Sequence, residues 1–132
     1  MAASSDYVEQ LAAHSADHWW YLARRDLLRQ VLNGRIPASS TALDIGCGTG
    51  EQLDLLRQLG AASVAGTDLT WSILRLAIAR ATPSARQPSL SQARAEALPF
   101  ATACAATLIS MDVIEHVQDD DDALREFRRV LA

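Results

Sequence analysis

Hydrophobic and polar positions change their spacing along the chain, and the change predicts an order of helices and strands. Apolar residues recur with helical spacing in the first third, whereas short apolar runs bounded by glycine follow it. The predicted helices are Tyr7–Ala16, His18–Leu32, Glu51–Leu59, Ser72–Ala81 and Ala123–Leu131. The predicted strands are Thr41–Ile45, Ser63–Thr67 closed by Asp68, Leu90–Ala93 (weak) and Thr107–Met111.

Alternating strands and helices predict an α/β fold with a Rossmann-like, mostly parallel sheet and flanking helices. We expect residues 1–40 to form an N-terminal helical segment and residues 41–132 to form the sheet domain. Ligands of such sheets bind at the carboxyl ends of the strands. The adjacent Trp19 and Trp20 are expected to be divided between the core and a lid over that ligand.

A glycine-rich loop, Asp44–Gly50, follows the first predicted strand. Its glycines alternate, whereas a dinucleotide fingerprint needs the third glycine three positions after the second, where Glu51 stands. A glutamate at the helix start would also repel a pyrophosphate. Asp68 ends the second strand, where an acidic residue binds ribose hydroxyls. The pattern favours a nucleoside without phosphates, and an ordinary strand-to-helix turn is the alternative for the loop alone.

The amino-acid composition excludes several classes of function. The 132 residues are 49% hydrophobic and 21% charged, with a net charge of -4, and every basic residue except histidine is arginine. Without lysine, P-loop and Schiff-base chemistry are excluded, and the acidic balance argues against nucleic acid as a partner. Two cysteines make no disulfide framework. Because no signal peptide or membrane-length apolar run is seen, we expect a soluble cytoplasmic protein without a membrane partner.

Four motifs in the expected order resemble those of the class I S-adenosylmethionine-dependent methyltransferases, in particular the small-molecule methyltransferase group. Leu43–Gly50 is similar to the first motif of that family, and Gly66–Thr70 is similar to the second. Ala95–Phe100 and Asp112–Val117 resemble the segments after the third and fourth strands. The resemblance covers the chain from His18 onward.

The resemblance implies S-adenosyl-L-methionine as the cofactor and assigns residues to its parts. Asp44 and the loop glycines would surround the methionine part, with Cys47 tucked beneath the loop. Asp68 would hold the ribose, Leu69 would lie against the adenine, and Met111 would lie near the sulfonium. The implied cofactor-binding residues are Asp44, Gly46, Cys47, Gly48, Gly50, Asp68, Leu69, Ala95, Glu96 and Met111.

The chain departs from the family at three places. Arg94 stands where the family carries an aspartate that bonds the adenine amino group, and Arg has no acceptor, so Glu96 or the backbone would serve. Small residues occupy Ala103–Thr107, where the family has Phe-Asp. The chain ends at Leu131–Ala132, whereas the family's sheet has three more strands. We therefore expect a truncated fold whose fourth strand is an exposed edge: either the chain is a fragment of a longer protein, or a second copy or a partner covers that edge.

The acidic and histidine residues near the end have several interpretations. His116 is a weak candidate for a general base, with a loop residue as the alternative. Asp112, Glu115 and His116 contain metal-ligand chemistry, but no metal site is predicted. Asp119–Asp122 is expected to cap the last helix, with Arg128 and Arg129 complementing its other end; it lacks the glycine and distal glutamate of a calcium loop. Arg24 or Arg25 is a candidate for the cofactor carboxylate.

The sequence therefore predicts methyl transfer from S-adenosylmethionine to an oxygen, nitrogen or carbon nucleophile of a small molecule. The alternative is a non-catalytic module that binds the cofactor or a partner, or an inactive fragment of a longer methyltransferase. The acceptor is not identified by any motif in the sequence.

Overall fold

The computed structural model describes residue 10 and residues 18–81 and 86–132. Its elements are, in order, helix α1 (Trp19–Leu32), strand β1 (Thr41–Ile45), helix α2 (Glu51–Gln58), strand β2 (Ser63–Asp68), helix α3 (Trp71–Arg80), strand β3 (Ser89–Gln92), strand β4 (Thr107–Ser110), a short 3-10 helix (Ile114–His116) and helix α4 (Asp120–Val130). The predicted helix Tyr7–Ala16 lies outside the described residues except for Gln10, which is helical.

The four strands form one parallel sheet in the order β3-β2-β1-β4. This confirms the predicted Rossmann-like α/β class. The register pairs Ile45 with Thr67 on one side and with Ser110 on the other, so β1, β2 and β4 end at the same level. Asp68 is paired with Gln92, which brings the end of β3 beside them. The residues after all four strands therefore meet at one edge of the sheet.

The two central strands are buried on both faces, as expected for parallel strands covered by helices. Alternate residues of β1 enter different cores: Ala42 packs with residues of α1, α2 and α3, whereas Leu43 packs with residues of α4. Three helices therefore cover one face of the sheet, and α4 covers the other. Beyond α4, the second core includes Ala95 and Leu98 from the segment after β3.

Most of helix α1 is exposed. Leu28 is its only buried residue, whereas Trp19 is 69% and Trp20 is 49% exposed. The prediction that these tryptophans lie partly in the core is wrong, because the helix packs on α2 through its other side, where Arg29 reaches Gln58. Among the described residues, no helix has the length and apolar character that crossing a bilayer requires.

Helix α4 begins with the predicted cap, since the Asp119 carboxylate accepts a hydrogen bond from the backbone N–H of Asp122 at 3.0 Å. Near its end, Arg129 forms two hydrogen bonds to Glu126, at 2.6 and 2.8 Å. Its guanidinium also donates to the carbonyls of Leu98 and Phe100. Glu126 in turn accepts from the Leu98 backbone N–H at 2.8 Å. This ion pair fixes the segment after β3 onto α4.

Strand β4 has no neighbouring strand on its outer side within the described part of the chain. The residues just before it pair with the end of the chain: Leu131 forms a parallel bridge with Ala105, and the Ala132 N–H donates to the Ala105 carbonyl at 2.8 Å. Strand β4 is therefore the expected edge strand of the described sheet. Only the residues just before it are paired on that side.

Replacing Arg129 tests the anchor of the segment after β3. Arg129→Met should lower the free energy of unfolding, because it removes charge-assisted bonds to Glu126 and two carbonyls. The matched variant Arg125→Met breaks only an exposed pair with Asp122 and should cost less than about 1 kcal/mol. Denaturant unfolding of both variants measures the difference; equal losses would contradict the anchoring role.

The same pair predicts how stability changes in acid. The hydrogen bonds from Arg129 are the main reason that the pKa of Glu126 is lowered to about 2. A carboxylate with a lowered folded pKa stabilises fully above its unfolded pKa, roughly 4.3, and loses that contribution as the pH falls towards 2. The excess loss in Arg129→Met should therefore be seen at pH 7 and diminish below about pH 4.

Candidate functional site

The loop after β1 is folded back over the end of β2. The backbone N–H groups of Gly46 and Cys47 both donate to the Thr67 carbonyl, at 2.7 and 2.9 Å. Gly46 has a φ of 77°, and a Cβ atom there would lie 2.2 Å from Cγ2 of Val113. Only glycine allows this contact between the loops after β1 and β4. The loops after β1 and β4 therefore lie in contact with each other, and the loop after β1 also contacts the end of β2.

Asp68 joins the glycine loop to the start of α3. Its Oδ2 accepts from the Gly48 backbone N–H at 3.1 Å, and its Oδ1 accepts from the Thr70 N–H at 2.9 Å. Each carboxylate oxygen can accept more than one hydrogen bond, so capacity for a ligand remains. The side chain is thus held in a fixed orientation at the end of β2.

These loops enclose one side of a cleft of about 730 Å³. It contains nearly all residues that the sequence singled out. The predicted residues that line it are Asp44, Gly46, Cys47, Gly48, Asp68, Leu69, Ala95, Glu96, Met111 and the weak base candidate His116. The structure does not place Gly50 in the lining. A Cβ there would lie 3.2 Å from Ala77, and its φ is 87°, so its glycine is needed for the start of α2 and for α2–α3 packing.

Asp44 is a buried acid in the wall of the cleft. It is 2% exposed, and its Oδ2 has no hydrogen-bond partner. Burial is the main reason that its pKa is raised to about 7; the charges of Glu51 and Asp68 raise it further, and that of Arg24 opposes the rise. An unpartnered buried acceptor beside a cleft is suited to a ligand that brings a hydrogen-bond donor or a positive charge.

Arg24 reaches the same end of the cleft from α1. It forms an ion pair with Asp112, in the loop after β4, and lies 5.0 Å from the centre of the Tyr21 ring. Its Nε is buried and has no hydrogen-bond partner. A guanidinium with a spare donor therefore lies at the same end of the cleft as a carboxyl with a spare acceptor. This arrangement is complementary to a zwitterion with one carboxylate and one ammonium group.

The other end of the cleft, beside β3, presents an apolar side chain and a pair of charged side chains. Leu69 is 62% exposed and presents an apolar surface, while its carbonyl is held by the Gln92 side chain at 2.7 Å. Arg94 and Glu96 form an ion pair of 2.8 Å on the rim. The hydrogen bond from Arg94 is the main reason that the pKa of Glu96 is lowered. A flat ring with polar edges would match this end.

Cys47 supports the loop from within. It is buried, burial raises the pKa of its thiol, and a Cβ on Gly66 would lie 2.8 Å from its Sγ. The thiol therefore fills space between loop and sheet. Asp112, Glu115 and His116 do not come together as metal ligands, since the described residues contain no group of three ligands that could hold a metal ion.

Several lining residues were missed from the sequence. Tyr21 lines the cleft from α1, Gln52 lines it from α2, Thr67 lines it from β2, and Asp112 meets Arg24 there. Tyr21 and Arg24 are one helical turn apart, which could have marked a shared face of α1. The docking of that face over the strand ends could not be read from spacing. Thr67 and Gln52 carry buried oxygens without partners.

A parallel sheet with a glycine loop after β1 and a carboxylate at the end of β2 is an arrangement in which α/β domains bind nucleosides and nucleotides. Comparison with family models matches residues 43–132 to the methyltransferase domain. The chain therefore belongs to the class I S-adenosylmethionine-dependent methyltransferases, and S-adenosyl-L-methionine is the cofactor of this class.

Individual relatives agree with this family. The chain is 34% identical over 128 residues to the ubiquinone/menaquinone biosynthesis C-methyltransferase of Syntrophotalea carbinolica, covering 96% of this chain and 51% of that protein. Its fold is similar to that of a candidate S-adenosyl-L-methionine-dependent methyltransferase from Methanococcus maripaludis (TM-score 0.82, 19% identity, 99% and 63% of the two chains). It is also similar to the PH0226 protein of Pyrococcus horikoshii (TM-score 0.81, 23% identity, 98% and 62%). The chain thus spans about half the length of the curated relative.

Asp44 predicts an unusual pH dependence of stability. Below about pH 4 the Asp44 carboxyl is protonated in both the folded and the unfolded chain. As the pH rises from 4 to 7, the unfolded chain loses this proton first. Burial of Asp44 therefore lowers the free energy of unfolding progressively over this range. Asp44→Asn should therefore gain stability relative to wild type by roughly 2–4 kcal/mol more at pH 8 than at pH 4.

Denaturant unfolding at the two pH values measures this gain. Asp54→Asn removes an exposed carboxylate elsewhere on the same side of the sheet and is the control, expected to change stability little at either pH. A gain of equal size at pH 4 and pH 8 in Asp44→Asn would show that the buried carboxyl is not the source of the effect.

Proposed function

We propose that this chain binds S-adenosylmethionine in the cleft and serves methyl transfer to a small-molecule acceptor. The observation that carries the proposal is the pairing of the glycine loop with Asp68, because that carboxylate is fixed at the end of β2 by the Gly48 N–H. A carboxylate in this position accepts hydrogen bonds from ribose hydroxyls. The residues present fit the cofactor, since each polar part of it would meet a complementary group in the lining.

The inner end of the cleft is suited to the methionine part. Arg24 has a buried donor, Nε, available for the carboxylate, and Asp44 has a buried acceptor, Oδ2, available for the ammonium. The backbone of Gly46 and Gly48 allows close approach beside them, with φ values of 77° and 54°. Cys47 holds the loop in place from below. These residues would fix the direction of the cofactor in the cleft.

The outer end is suited to the nucleoside. Asp68 would bind the ribose, and the exposed Leu69 would cover one face of the adenine. Ala95 and Glu96 border the space where the ring edge would lie. Gly50 supports the start of α2 rather than the cleft, so we assign it no contact with the cofactor. The arrangement has no lysine for a phosphate, in agreement with a nucleoside that carries none.

Methyl transfer requires mainly proximity and orientation, because the bound cofactor supplies a methyl group already activated on a sulfonium. Met111 lines the cleft in the segment after β4 and would lie near that centre. His116 also lines the cleft, and it would take the proton from a hydroxyl acceptor. The relative from Syntrophotalea carbinolica is a C-methyltransferase of quinone biosynthesis. The proposed acceptor for this chain is an oxygen, nitrogen or carbon nucleophile of a small molecule. The proposed location of the protein is the cytoplasm.

A second candidate is a module that binds the cofactor or a partner chain without turnover. The outer side of β4 supports it, because no strand of the described residues pairs there. Unpaired edge strands are surfaces on which another chain can add. A second copy of the chain or a different partner would then complete the sheet.

Gly48→Ala tests whether the cofactor occupies this cleft. A Cβ at Gly48 would have no neighbour within 4 Å, so the added methyl group would enter open space where the ligand is proposed to lie. Binding of S-adenosylhomocysteine, measured by calorimetric titration, should weaken at least about 30-fold, since packed sites tolerate little extra volume. The protein itself should lose only about 1–2 kcal/mol, from the positive φ.

Gly34→Ala is the matched control. Gly34 has a similar φ of 71° and an equally open Cβ position, but it lies after α1 and outside the cleft lining. It should carry the same backbone strain and leave binding unchanged. Equal affinities for the two variants would place the ligand elsewhere. A folded wild-type chain that does not bind at all would remove the cofactor proposal and favour the partner-binding module.

A further inference from the structure

One buried polar side chain in the wall of the cleft has no part in the proposed function. Gln52 is 6% exposed and lines the cleft, yet its Oε1 atom is buried and has no hydrogen-bond partner. It lies in the first turn of α2, two residues after Gly50, where the glycine motif ends. Buried amide oxygens normally accept a hydrogen bond, so an unpartnered one beside a cleft is suited to a ligand that donates.

The topology places Gln52 at the same end of the cleft as Asp44. Side chains alternate along β1, so Asp44 faces the same side of the sheet as Ala42, which packs against α1 and α2. Helix α2 follows the loop after β1, and its first turn therefore lies level with the end of that strand. The charge of Glu51, the neighbour of Gln52, is near enough to raise the pKa of Asp44, and Arg24 acts on the same carboxyl from α1.

The inner end of the cleft thus contains three buried polar atoms without partners: Arg24 Nε, Asp44 Oδ2 and Gln52 Oε1. The first is a donor, and the other two are acceptors. The carboxylate of an amino acid would pair with the donor, whereas its ammonium group has three N–H donors and would pair with both acceptors. A carboxylate placed against Gln52 Oε1 would instead bring two acceptors together.

We propose that Gln52 is a specificity-determining residue that, together with Asp44, accepts a hydrogen bond from the α-ammonium group of the cofactor. This inference rests on the proposed function and names what the inner end of the cleft selects, which is a nucleoside whose side chain carries an ammonium group. Asp44 supplies attraction for the positive charge, and the amide oxygen adds a second acceptor in a fixed direction. A ligand of similar size without the amino group would leave both acceptors unpaired.

Three ligands that differ only in the side chain test this selection. They are S-adenosylhomocysteine, its deamino analogue with hydrogen in place of the α-amino group, and its decarboxylated analogue with hydrogen in place of the carboxylate. Calorimetric titration at about pH 8 keeps Asp44 mostly ionised, since burial raises its pKa to about 7. Wild type should bind the deamino analogue at least about 30-fold more weakly than S-adenosylhomocysteine, because a site that pairs a polar group rejects a ligand that lacks it.

Gln52→Leu removes the acceptor and keeps a side chain of similar size. The preference over the deamino analogue should fall at least about fivefold, while the preference over the decarboxylated analogue should change less than about twofold. Stability should move in the opposite direction. Because a buried acceptor without a partner destabilises the free protein, Gln52→Leu should unfold at a higher denaturant concentration than wild type. A purely structural role for Gln52 would give a lower one.

Two further variants complete the experiment. Gln58→Leu is the matched control, because Gln58 is an exposed residue at the end of the same helix, bonded to Arg29 at 3.4 Å and outside the cleft lining. It should keep both wild-type preferences. Gln52→Glu keeps an acceptor on a side chain of the same length, so its preference over the deamino analogue should equal or exceed that of wild type.

The outcomes distinguish this inference from the proposed function. If wild type binds S-adenosylhomocysteine but Gln52→Leu keeps the wild-type preference over the deamino analogue, the role of Gln52 is wrong and the cofactor site stands. If Gln52→Leu weakens all three ligands equally, or changes only the preference over the decarboxylated analogue, the inference is overturned in the same way. If folded wild type binds none of the three ligands, both the inference and the proposed cofactor site are overturned.

Discussion

The end of β2 is the point on which the site depends. The Thr67 carbonyl accepts from Gly46 and Cys47, and the Asp68 carboxylate accepts from Gly48. Three successive N–H groups of one loop are thus satisfied by two successive residues of a neighbouring strand. Without these bonds the buried N–H groups would lack partners, at a cost of about 1–3 kcal/mol each. The same bonds that stabilise the loop also orient Asp68 towards the cleft.

Three elements contribute charged or ionisable side chains to the inner end of the cleft. Asp44 comes from β1, Arg24 from α1 and Asp112 from the loop after β4. Burial destabilises the ionised form of Asp44, and Arg24 offsets only part of that effect. Such a destabilised carboxyl is typical of binding sites, because a ligand can supply the missing partner. A ligand that pairs with the Asp44 carboxylate would thus offset the free-energy cost of burying it.

The sequence predicts the sheet well and the cleft incompletely, for a physical reason. Strand β1 has the predicted bounds because a short, mostly apolar run that ends at a glycine is typical of a buried parallel strand. Helix α3 begins one residue before its prediction, at Trp71, because Thr70 is the residue with extended backbone. Arg24 and Asp112 are 88 residues apart, and only the docking of α1 brings them together. Local patterns carry no information on that docking.

The cleft is lined by residues between Tyr21 and Gln118 that belong to α1, the starts of α2 and α3, the ends of β1 and β2, and the loops that follow the four strands. Strand β4 contributes through the loop that follows it, and its outer side is remote from this role. The proposed cofactor site therefore depends on the four parallel strands ending at one edge of the sheet, whereas pairing at the outer side of β4 is a separate property.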